Sequence, residues 1–412
     1  MTPRRLDPLD LASVLPPGGR TLVAGCSGES LLLADAVMRA GETLGAMTFT
    51  GIFVPGLNTS TYLANPSCRV ETFFMTPELK TKKAATTFLP LCYGDILTRL
   101  RSVSIDAALF MASPADNDGF CSFGPIVDFL AELWPRIPVR IAHINPRLPR
   151  VASPCGIPFD ELTAYVEAEQ ALLGIAESSH DRVSDAIATN VARFIDDDAT
   201  LQIGLGKIPN AALRVLRSRR NLKIHSGLIP EAVLDLEDAG ALASEPSVTG
   251  GVAIGSQRLY DRVGGRAYRF HPVSYTHSPQ VLGGLKNFVS LNAALEVDLF
   301  GQAYAELGPS GLMSGPGGAS DFARGASAAG GLRVVALPAS AKGEISRIVA
   351  PGAGAGPASL SRMDTDVVIT EHGAADLRGL GHEERARALI AIAPPDHRAR
   401  LAQSWAALAA RF

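Results

Sequence analysis

Cysteine and histidine are scarce and scattered in this chain. Its 412 residues include five cysteines and eight histidines. No cysteine forms a C-x-x-C pair or joins histidines at the spacing of zinc ligands, and the odd number gives no disulfide framework. We therefore expect no metal site. The cysteines are expected to be buried, reduced thiols that act as small apolar side chains; they are Cys26, Cys68, Cys92, Cys121 and Cys155.

Long apolar runs and an excess of positive charge are also missing. No stretch approaches the roughly 18–20 apolar residues that span a bilayer. The first residues mix arginine, aspartate and proline before any apolar block, which is not the pattern of a secretory signal. The formal net charge is −3, so neither nucleic acid nor an anionic membrane is favoured as a partner. These absences predict a cytoplasmic enzyme with small-molecule partners.

What the chain does contain is an alternation of short, apolar, strand-like runs with helical patterns. This alternation is typical of βα units around a mainly parallel sheet. RTLVAGCSGES predicts a strand that enters a glycine and serine turn. ESLLLADAVMRAG predicts a helix with four apolar residues on or near one face, namely Leu31, Leu32, Ala36 and Met38.

The pattern starts again near Ser184, where a helix is followed by the strand, glycine loop and helix of ATLQIGLGKIPNAALRVL. This echo indicates two halves of related architecture. We predict an α/β fold with two domains, residues 1–183 and residues 184–412. Each is expected to hold a mainly parallel sheet flanked by helices.

The first candidate loop follows a strand and opens a helix: Gly204, Leu205, Gly206, Lys207 and Ile208. Glycines let backbone N–H groups come close to a phosphate or thioester oxygen, and a helix N-terminus favours negative charge. Lys207 adds a positive charge. The loop lacks the third glycine of a dinucleotide fingerprint and the GK[ST] ending of a P-loop, so a plain strand-to-helix turn remains an equal explanation.

The second candidate loop is SGPGGASDF, residues 314–322. Gly315, Gly317 and Gly318 indicate either a structural turn or the close approach of a ligand. Such a loop can present N–H groups to an oxyanion. Farther along, Lys342 follows the strand-like run RVVALPAS. It is either a phosphate contact or a solvated lysine.

Further polar candidates are predicted at strand ends. KIHSGLIPE, residues 223–231, comes about twenty residues after the first loop and is expected to return to the same sheet edge, where ligands bind in open α/β sheets. His225 in this segment is either an acid/base or a structural histidine. In LNAALEVDLFGQ, Glu296 and Asp298 share one face of a predicted strand. They are either functional or held by backbone donors.

Taken together, these stretches resemble the acetyl-CoA hydrolase/4-hydroxybutyrate CoA-transferase family. The likeness extends over nearly the whole chain, and its motifs occur in the family's order. The clearest of them are SPADNDGFCSFG, IGLGKIPNA, VSLNAALEVDLFGQ, SGPGGASDFARGA, SAKGEISRIV, and TEHGAADLRG followed by HEERARALIAIA.

The resemblance implies two CoA-transferase domains, coenzyme A as substrate and product, and a homodimer or higher oligomer. It places acyl specificity in residues 1–183 and CoA binding in residues 184–412. The loop from Gly204 to Ile208 would line the CoA site, and the loop from Gly315 to Ser320 would approach the thioester. Lys342 would lie near the CoA phosphates.

This sequence departs from the family at the expected reaction centre. The family's transferases attack acyl-CoA with a glutamate, the fourth residue of a motif like I-H-T-E, and form a covalent thioester with CoA. Here the motif reads Ile224-His225-Ser226-Gly227. The family's GGQ-x-DF loop lacks its glutamine, and Tyr304 stands where relatives often carry asparagine.

A glycine cannot form the covalent intermediate, so another group would have to replace the glutamate. Glu231 is the nearest carboxylate in sequence and would act as nucleophile or as general base for water. Its alternative role is that of an exposed glutamate at a helix start. His225 with Ser226 offers a base and a hydroxyl.

Three functions remain open from the sequence. The first is transfer or hydrolysis of a CoA thioester, acting on a small carboxylic acid or acyl-CoA. The second is different acyl-CoA chemistry on the same scaffold, such as isomerisation, elimination or addition. The third is a non-catalytic CoA-binding subunit.

Overall fold

The computed structural model describes residues 2–175, 181–308, 311–341 and 344–411. Two units divide the chain. The first is Met1–Ala176 with Val248–Thr276, and the second is Glu177–Ser247 with His277–Phe412. The assignment of acyl specificity to residues 1–183 and of CoA binding to residues 184–412 stays a prediction.

The first segment of the first unit supplies most of its strands and helices. The strands are β1 Arg4–Arg5, β2 Arg20–Val23, β3 Thr48–Gly51, β4 Arg69–Thr72, β5 Thr86–Phe88, β6 Ala107–Ala112, β7 Phe120–Cys121, β8 Val139–Ile144, β9 Ile157–Pro158 and β10 Ala164–Glu167. The helices are α1 Leu31–Ala40, α2 Pro77–Lys80, α3 Tyr93–Ser102 and α4 Asp128–Leu133.

Eight of these strands form one sheet in the order β1-β10-β8-β6-β2-β3-β4-β5, and every neighbouring pair is parallel. The central strand β6 is buried at all six positions, as expected for a parallel strand covered on both faces. The ligand-binding edge of such a sheet is at the carboxyl ends of its strands.

Helix α1 forms where the sequence predicts it, but of the four residues predicted for its apolar face only Ala36 is buried. Leu31 and Met38 are each 42% exposed, whereas Leu33, Ala36 and Val37 are buried. Ser30 fixes the start of the helix, because its Oγ accepts the Leu33 N–H at 3.1 Å. In the run of three leucines the helix start determines which residue is buried.

The chain next enters the second unit and then returns to the first. The second unit receives β11 Thr200–Ile203, β12 Lys223–His225 and β13 Leu228–Pro230, with α5 Arg182–Ala192, α6 Lys207–Val215 and α7 Val233–Asp238. The returning segment contains β14 Val248–Gly250, β15 Val252–Ile254 and β16 Tyr268–Phe270, with α8 Gln257–Arg262 and α9 Val273–Thr276. Strands β14 and β16 pair in parallel.

The remainder of the chain completes the second unit. Its strands are β17 Phe288–Ala293, β18 Glu296–Asp298, β19 Ala303–Tyr304, β20 Leu307–Gly308, β21 Gly311–Leu312, β22 Leu332–Ala336, β23 Ser340–Ala341, β24 Ile345–Ser346, β25 Ile348–Val349, β26 Val367–Thr370 and β27 Gly373–Asp376. Its helices are α10 Pro279–Gly283, α11 Ala319–Ala328, α12 His382–Ala391 and α13 Pro395–Ala409.

The second unit is built on strands in the order β12-β11-β17-β22-β26-β27. All of these neighbours are parallel except β26 and β27, which are antiparallel. A buried cluster that includes Leu377, Leu389 and Trp405 packs helices α12 and α13 onto the unit. The predicted α/β class with two mainly parallel sheets is confirmed. Within the described ranges, no helix has the length and apolar character needed to span a membrane.

Candidate active site in the second unit

The candidate residues of the second unit lie where parallel strands end. Strand β11 ends at Ile203 and leads into the first glycine loop, and its neighbour β12 ends at His225. The Ser226 hydroxyl donates to the Ile203 carbonyl at 2.8 Å, which ties the two strand ends together. This is the edge of an α/β sheet at which ligands bind.

The first glycine loop has the backbone that its sequence predicts. Gly206 has a φ of +125°, a backbone conformation that residues with a side chain rarely adopt. Helix α6 begins at the next residue. Open space surrounds Gly204, since a Cβ added there would meet no atom within 4 Å. The loop therefore leaves its backbone accessible at a helix N-terminus.

Lys207 is held by a carboxylate at the same edge. Its Nζ lies 3.4 Å from Oδ2 of Asp181, and Asp181 caps α5 by accepting the Ser184 N–H at 2.8 Å. These residues border a cavity of about 450 Å³. Its lining residues are Asp181, Val183, Ser184, Lys207, Ile208, Pro338, Ser340 and Glu371.

Among the described residues that line this cavity, carboxylates outnumber ammonium groups. Asp181 and Glu371 are the carboxylates, and Lys207 is the ammonium group among these residues. Like charges repel, so these described residues favour a neutral polar segment of a ligand over an anionic one. The other predicted cation, Lys342, lies outside the described residues.

The second glycine loop turns into helix α11. Gly317 has a φ of +63°, and Gly318 immediately precedes the first residue of the helix. Gly315, Gly317 and Gly318 are all half-buried. The Ser320 hydroxyl donates to the Ser359 carbonyl at 3.0 Å, so the first turn of α11 is anchored to another loop of the unit.

One imidazole occupies the space beside both Gly227 and Gly318. A Cβ added at Gly227 would lie 2.6 Å from Cε1 and 2.8 Å from Nε2 of His277. A Cβ added at Gly318 would lie 2.7 Å from the same Nε2. Real side-chain contacts are essentially never so short, so the ring and the two glycines require each other.

His277 is a buried, neutral group. Its ring packs against Phe322 of α11 with centroids 4.6 Å apart, and the residue is 5% exposed. Burial, and then the proximity of His225, lowers the pKa of His277 to about 3. Sequence reasoning did not single out His277; the available signal was the glycine at position 227, whose missing side chain leaves room for the ring.

The two residues predicted to be catalytic lie on either side of Gly227. His225 is buried at the end of β12, 4% exposed, and is close enough to His277 to influence its ionisation. Glu231 follows the extended strand β13. Because a strand rises roughly 3.3 Å per residue, the Glu231 backbone lies up to about 13 Å from that of Gly227. The catalytic roles of His225 and Glu231 stay predictions.

A polar cluster in the second unit binds backbone N–H groups. It consists of Glu296, Asp298 and Tyr304. Asp298 is fully buried and accepts from the N–H groups of Phe300 and Gln302, each at 3.0 Å. The Tyr304 hydroxyl donates to Asp298 at 3.0 Å. Burial and the neighbouring carboxylate raise the pKa of Tyr304 to about 12. Glu296 accepts the Ala355 N–H at 2.8 Å, so backbone donors satisfy both carboxylates.

The first unit has its own polar group at the carboxyl edge of its sheet. Asp128 lines a small cavity of about 30 Å³ beside the ends of β2 and β3, together with Cys26 and Ile52. Its Oδ1 is buried without a hydrogen-bond partner. Burial raises the pKa of Asp128 to about 8. The carboxyl is therefore largely protonated at neutral pH.

Comparisons with known proteins connect this arrangement with CoA thioesters. The family model of the acetyl-CoA hydrolase/transferase C-terminal domain matches residues 255–405. A 4-hydroxybutyrate coenzyme A transferase of Clostridium kluyveri is 36% identical over 312 residues, covering 73% of this chain and 72% of that protein. An acetyl-CoA hydrolase of Kluyveromyces lactis is 29% identical over 266 residues, covering 58% and 49%.

Solved structures give the same result over almost the full length. The crystal structure of a 4-hydroxybutyrate CoA-transferase from Porphyromonas gingivalis matches with a TM-score of 0.81 and 28% identity, covering 99% of this chain and 98% of that one. RipA from Yersinia pestis matches with a TM-score of 0.89 and 26% identity, covering 98% and 97%. Both likenesses include the two sheets described above.

Proposed function

This chain belongs to the acetyl-CoA hydrolase/CoA-transferase family, and from that premise we propose that it hydrolyses the thioester of a small acyl-CoA without a covalent intermediate at residue 227. Transfer or hydrolysis of a CoA thioester is the activity of the family, and CoA is its substrate. The names of the relatives favour these reactions over isomerisation, elimination or addition. What is particular to this chain is the choice of water as the attacking group.

The contact between Gly227 and His277 carries this proposal. A covalent route at this position needs a carboxylate, and Gly227 has none. A longer side chain would also meet the His277 ring, because even a Cβ would lie within 2.8 Å of it. Water needs no such space, so direct attack by water remains compatible with this site.

The glycine loops would receive the CoA thioester. Gly204, Leu205, Gly206, Lys207 and Ile208 open a helix beside a cavity large enough for an extended, neutral chain. The pantetheine arm of CoA has this character, whereas its phosphates do not suit the carboxylates of the cavity. Gly315, Gly317 and Gly318 would come next to the thioester carbonyl. Acyl specificity from the first unit, a homodimer and a cytoplasmic location remain predictions.

Thiol release without an acceptor acid tests the function. The protein is incubated with acetyl-CoA, butyryl-CoA or 4-hydroxybutyryl-CoA, with and without added acetate, and free thiol is measured. We expect thiol release at the same rate in both conditions and no CoA adduct in the intact mass of the protein. Acyl exchange that requires acetate and proceeds through an adduct would contradict the proposal.

Glu231→Gln separates the two routes. If water attacks without help from Glu231, this substitution leaves thiol release intact, whereas if Glu231 is the general base for water, thiol release falls and no adduct forms. If Glu231 is the nucleophile, borohydride traps an adduct in the wild type that is absent from Glu231→Gln. Such a result would establish transfer through Glu231, the residue that the sequence predicts.

A further inference from the structure

Asp128 is a buried carboxyl that lines a cavity in the first unit. The residue is 6% exposed, and its Oδ1 has no hydrogen-bond partner among the residues that the structure describes. Most buried polar atoms in proteins are hydrogen-bonded, because leaving one without a partner costs free energy. An unpartnered carboxyl at the wall of a cavity therefore indicates a binding site for a ligand with a polar group.

The backbone of this region holds the carboxyl in place. Asp128 has a φ of +22°, in the region that residues with a side chain rarely adopt. The N–H groups of Val127 and Asp128 both donate to the carbonyl of Gly251, at 3.0 and 3.4 Å. Cys26, another residue of the cavity wall, has a φ of +54°. Strained backbone of this kind is concentrated at binding and active sites, where the surrounding contacts maintain it.

The rest of the wall consists of closely packed backbone and apolar side chains. A Cβ added at Gly25 would lie 2.0 Å from the carbonyl oxygen of Ile52, and one added at Gly51 would lie 2.5 Å from that of Val23. All four of these residues line the cavity, so the two glycines are required by the close approach of backbone. The apolar side chains of the wall include Leu22, Phe73, Leu100, Ile126, Phe129 and Leu130.

The volume of the cavity limits the ligand to a few atoms. The cavity measures about 30 Å³, whereas a single water molecule needs roughly 10–15 Å³. It therefore has room for about two or three non-hydrogen atoms. Methanol and ethanol have this size, but acetamide and acetic acid exceed it.

The chemistry of the carboxyl selects a hydroxyl group. Burial raises the pKa of Asp128 to about 8, so at neutral pH the group carries one O–H donor together with acceptor oxygens. A hydroxyl group also donates and accepts, and the carbon next to it suits the apolar wall. We propose that this cavity binds the hydroxymethyl group of a short aliphatic alcohol, with the hydroxyl paired to Asp128. The site lies in the first unit and does not depend on the thioester chemistry proposed for the second.

Saturation-transfer NMR of the full chain with ethanol tests the site in solution. We expect transfer from protein protons to the ethanol methyl group in the wild type and in Asp128→Asn, which keeps a donor and an acceptor. Asp128→Leu removes both and should lose the signal. Val23→Ile adds one carbon to the wall while Asp128 stays in place, and it should also lose the signal. Val166→Ile is the matched control, because Val166 is buried in β10 away from the residues that line this cavity.

A second ligand and a crystal structure complete the test. Ethanethiol keeps the carbon chain but is a weak donor and acceptor, so its signal should be weaker than that of ethanol. A crystal soaked in ethanol should show the hydroxyl oxygen about 2.5–3.0 Å from a carboxyl oxygen of Asp128. Equal signals from the two ligands, or an undiminished ethanol signal in Val23→Ile, would overturn the proposal. Ethanol in the crystal without transfer in solution would also overturn it, since that result is binding at crystal concentration only. Acyl-CoA is absent from these measurements, so their failure leaves the proposed function intact.

Discussion

At the scale of single residues, the space taken by the His277 ring explains why residues 227 and 318 of the candidate site are both glycine. Gly227 and Gly318 are far apart in the sequence, yet a Cβ at either position would clash with the same atom, Nε2 of His277. The absence of a side chain at both positions is thus coupled to the presence of a buried ring.

Gly227→Ala should lower the free energy of unfolding by about 1–3 kcal/mol, the usual cost of an extra methyl group in a packed site. Urea denaturation measures the change. In the His277→Ala background the same substitution should cost much less, since the clash is gone and contacting residues couple in double-mutant cycles. Gly204→Ala is the control, because its added Cβ meets nothing within 4 Å. Equal costs of Gly227→Ala in the two backgrounds would contradict the contact.

Asp128 predicts an unusual dependence of stability on pH. Its pKa is raised to about 8, above the value of about 3.9 for an unfolded chain. Between these values the folded state binds more protons than the unfolded state, so this residue makes stability fall as pH rises. Between pH 5 and pH 8 the loss is as much as about 4 kcal/mol. The contribution of Asp128 to the free energy of unfolding is fully present only below the pKa that this carboxyl has in the unfolded chain.

Asp128→Asn should remove most of this slope. Denaturation at pH 5 and pH 8 should therefore show a smaller loss for Asp128→Asn than for the wild type. Asp116→Asn is a contrasting variant, because hydrogen bonding from the Phe120 N–H lowers the pKa of that exposed carboxyl. Its effect should be confined to acid solution. The same slope in wild type and Asp128→Asn would show that Asp128 is not the responsible group.

At the scale of elements, helix starts decide details that apolar patterns leave open. In α1 the sequence predicts the helix, but three consecutive leucines do not reveal which of them is buried. Ser30 and its bond to the Leu33 N–H settle the register, and Leu31 is left outside. The glycine loops were predictable because glycine and proline mark turns locally. His277 was not, because its neighbours come from residues about 50 and 40 positions away in the chain.

Asp181 gives a test of such a helix start. Its side chain caps α5 and also pairs with Lys207. Asp181→Ala should destabilise the protein by about 1 kcal/mol through loss of the cap. Asp181→Asn keeps a good cap and loses only an exposed ion pair, which is worth about 0–1 kcal/mol. Equal losses for Asp181→Ala and Asp181→Asn in thermal denaturation would show that the ion pair, and not the cap, supplies the stability.

At the scale of the whole molecule, the sequence predicts two α/β halves but not the composition of the first unit. Strand and helix patterns depend on neighbouring residues, so the alternation is visible along the chain. The segment Val248–Thr276 belongs to the first unit, although the segments before and after it, Glu177–Ser247 and His277–Phe412, belong to the second. This assignment depends on contacts between residues far apart in sequence. For example, the Ser27 hydroxyl donates a hydrogen bond to the Ala253 carbonyl at 2.7 Å. No local pattern encodes such a contact.

The returning segment should be necessary for a stable first unit. It supplies backbone partners to the first segment, including the Gly251 carbonyl, which accepts the Val127 N–H at 3.0 Å. It also buries several large apolar side chains, namely Val252, Ile254, Leu259, Tyr260, Tyr268 and Phe270. At roughly 1.5–3 kcal/mol for each such side chain, their loss is comparable with the whole stability of a domain, about 5–15 kcal/mol.

A polypeptide of residues 1–183 should therefore lack a cooperative thermal transition and expose apolar surface to a hydrophobic dye. Joining residues 2–175 to residues 248–276 through a flexible linker restores the internal partners, so this second polypeptide should unfold at a higher temperature and bind less dye. The comparison is direct because both polypeptides contain the strands of the first sheet. A cooperative transition of residues 1–183 at the temperature of the linked form would show that the first segment folds without its returning partner.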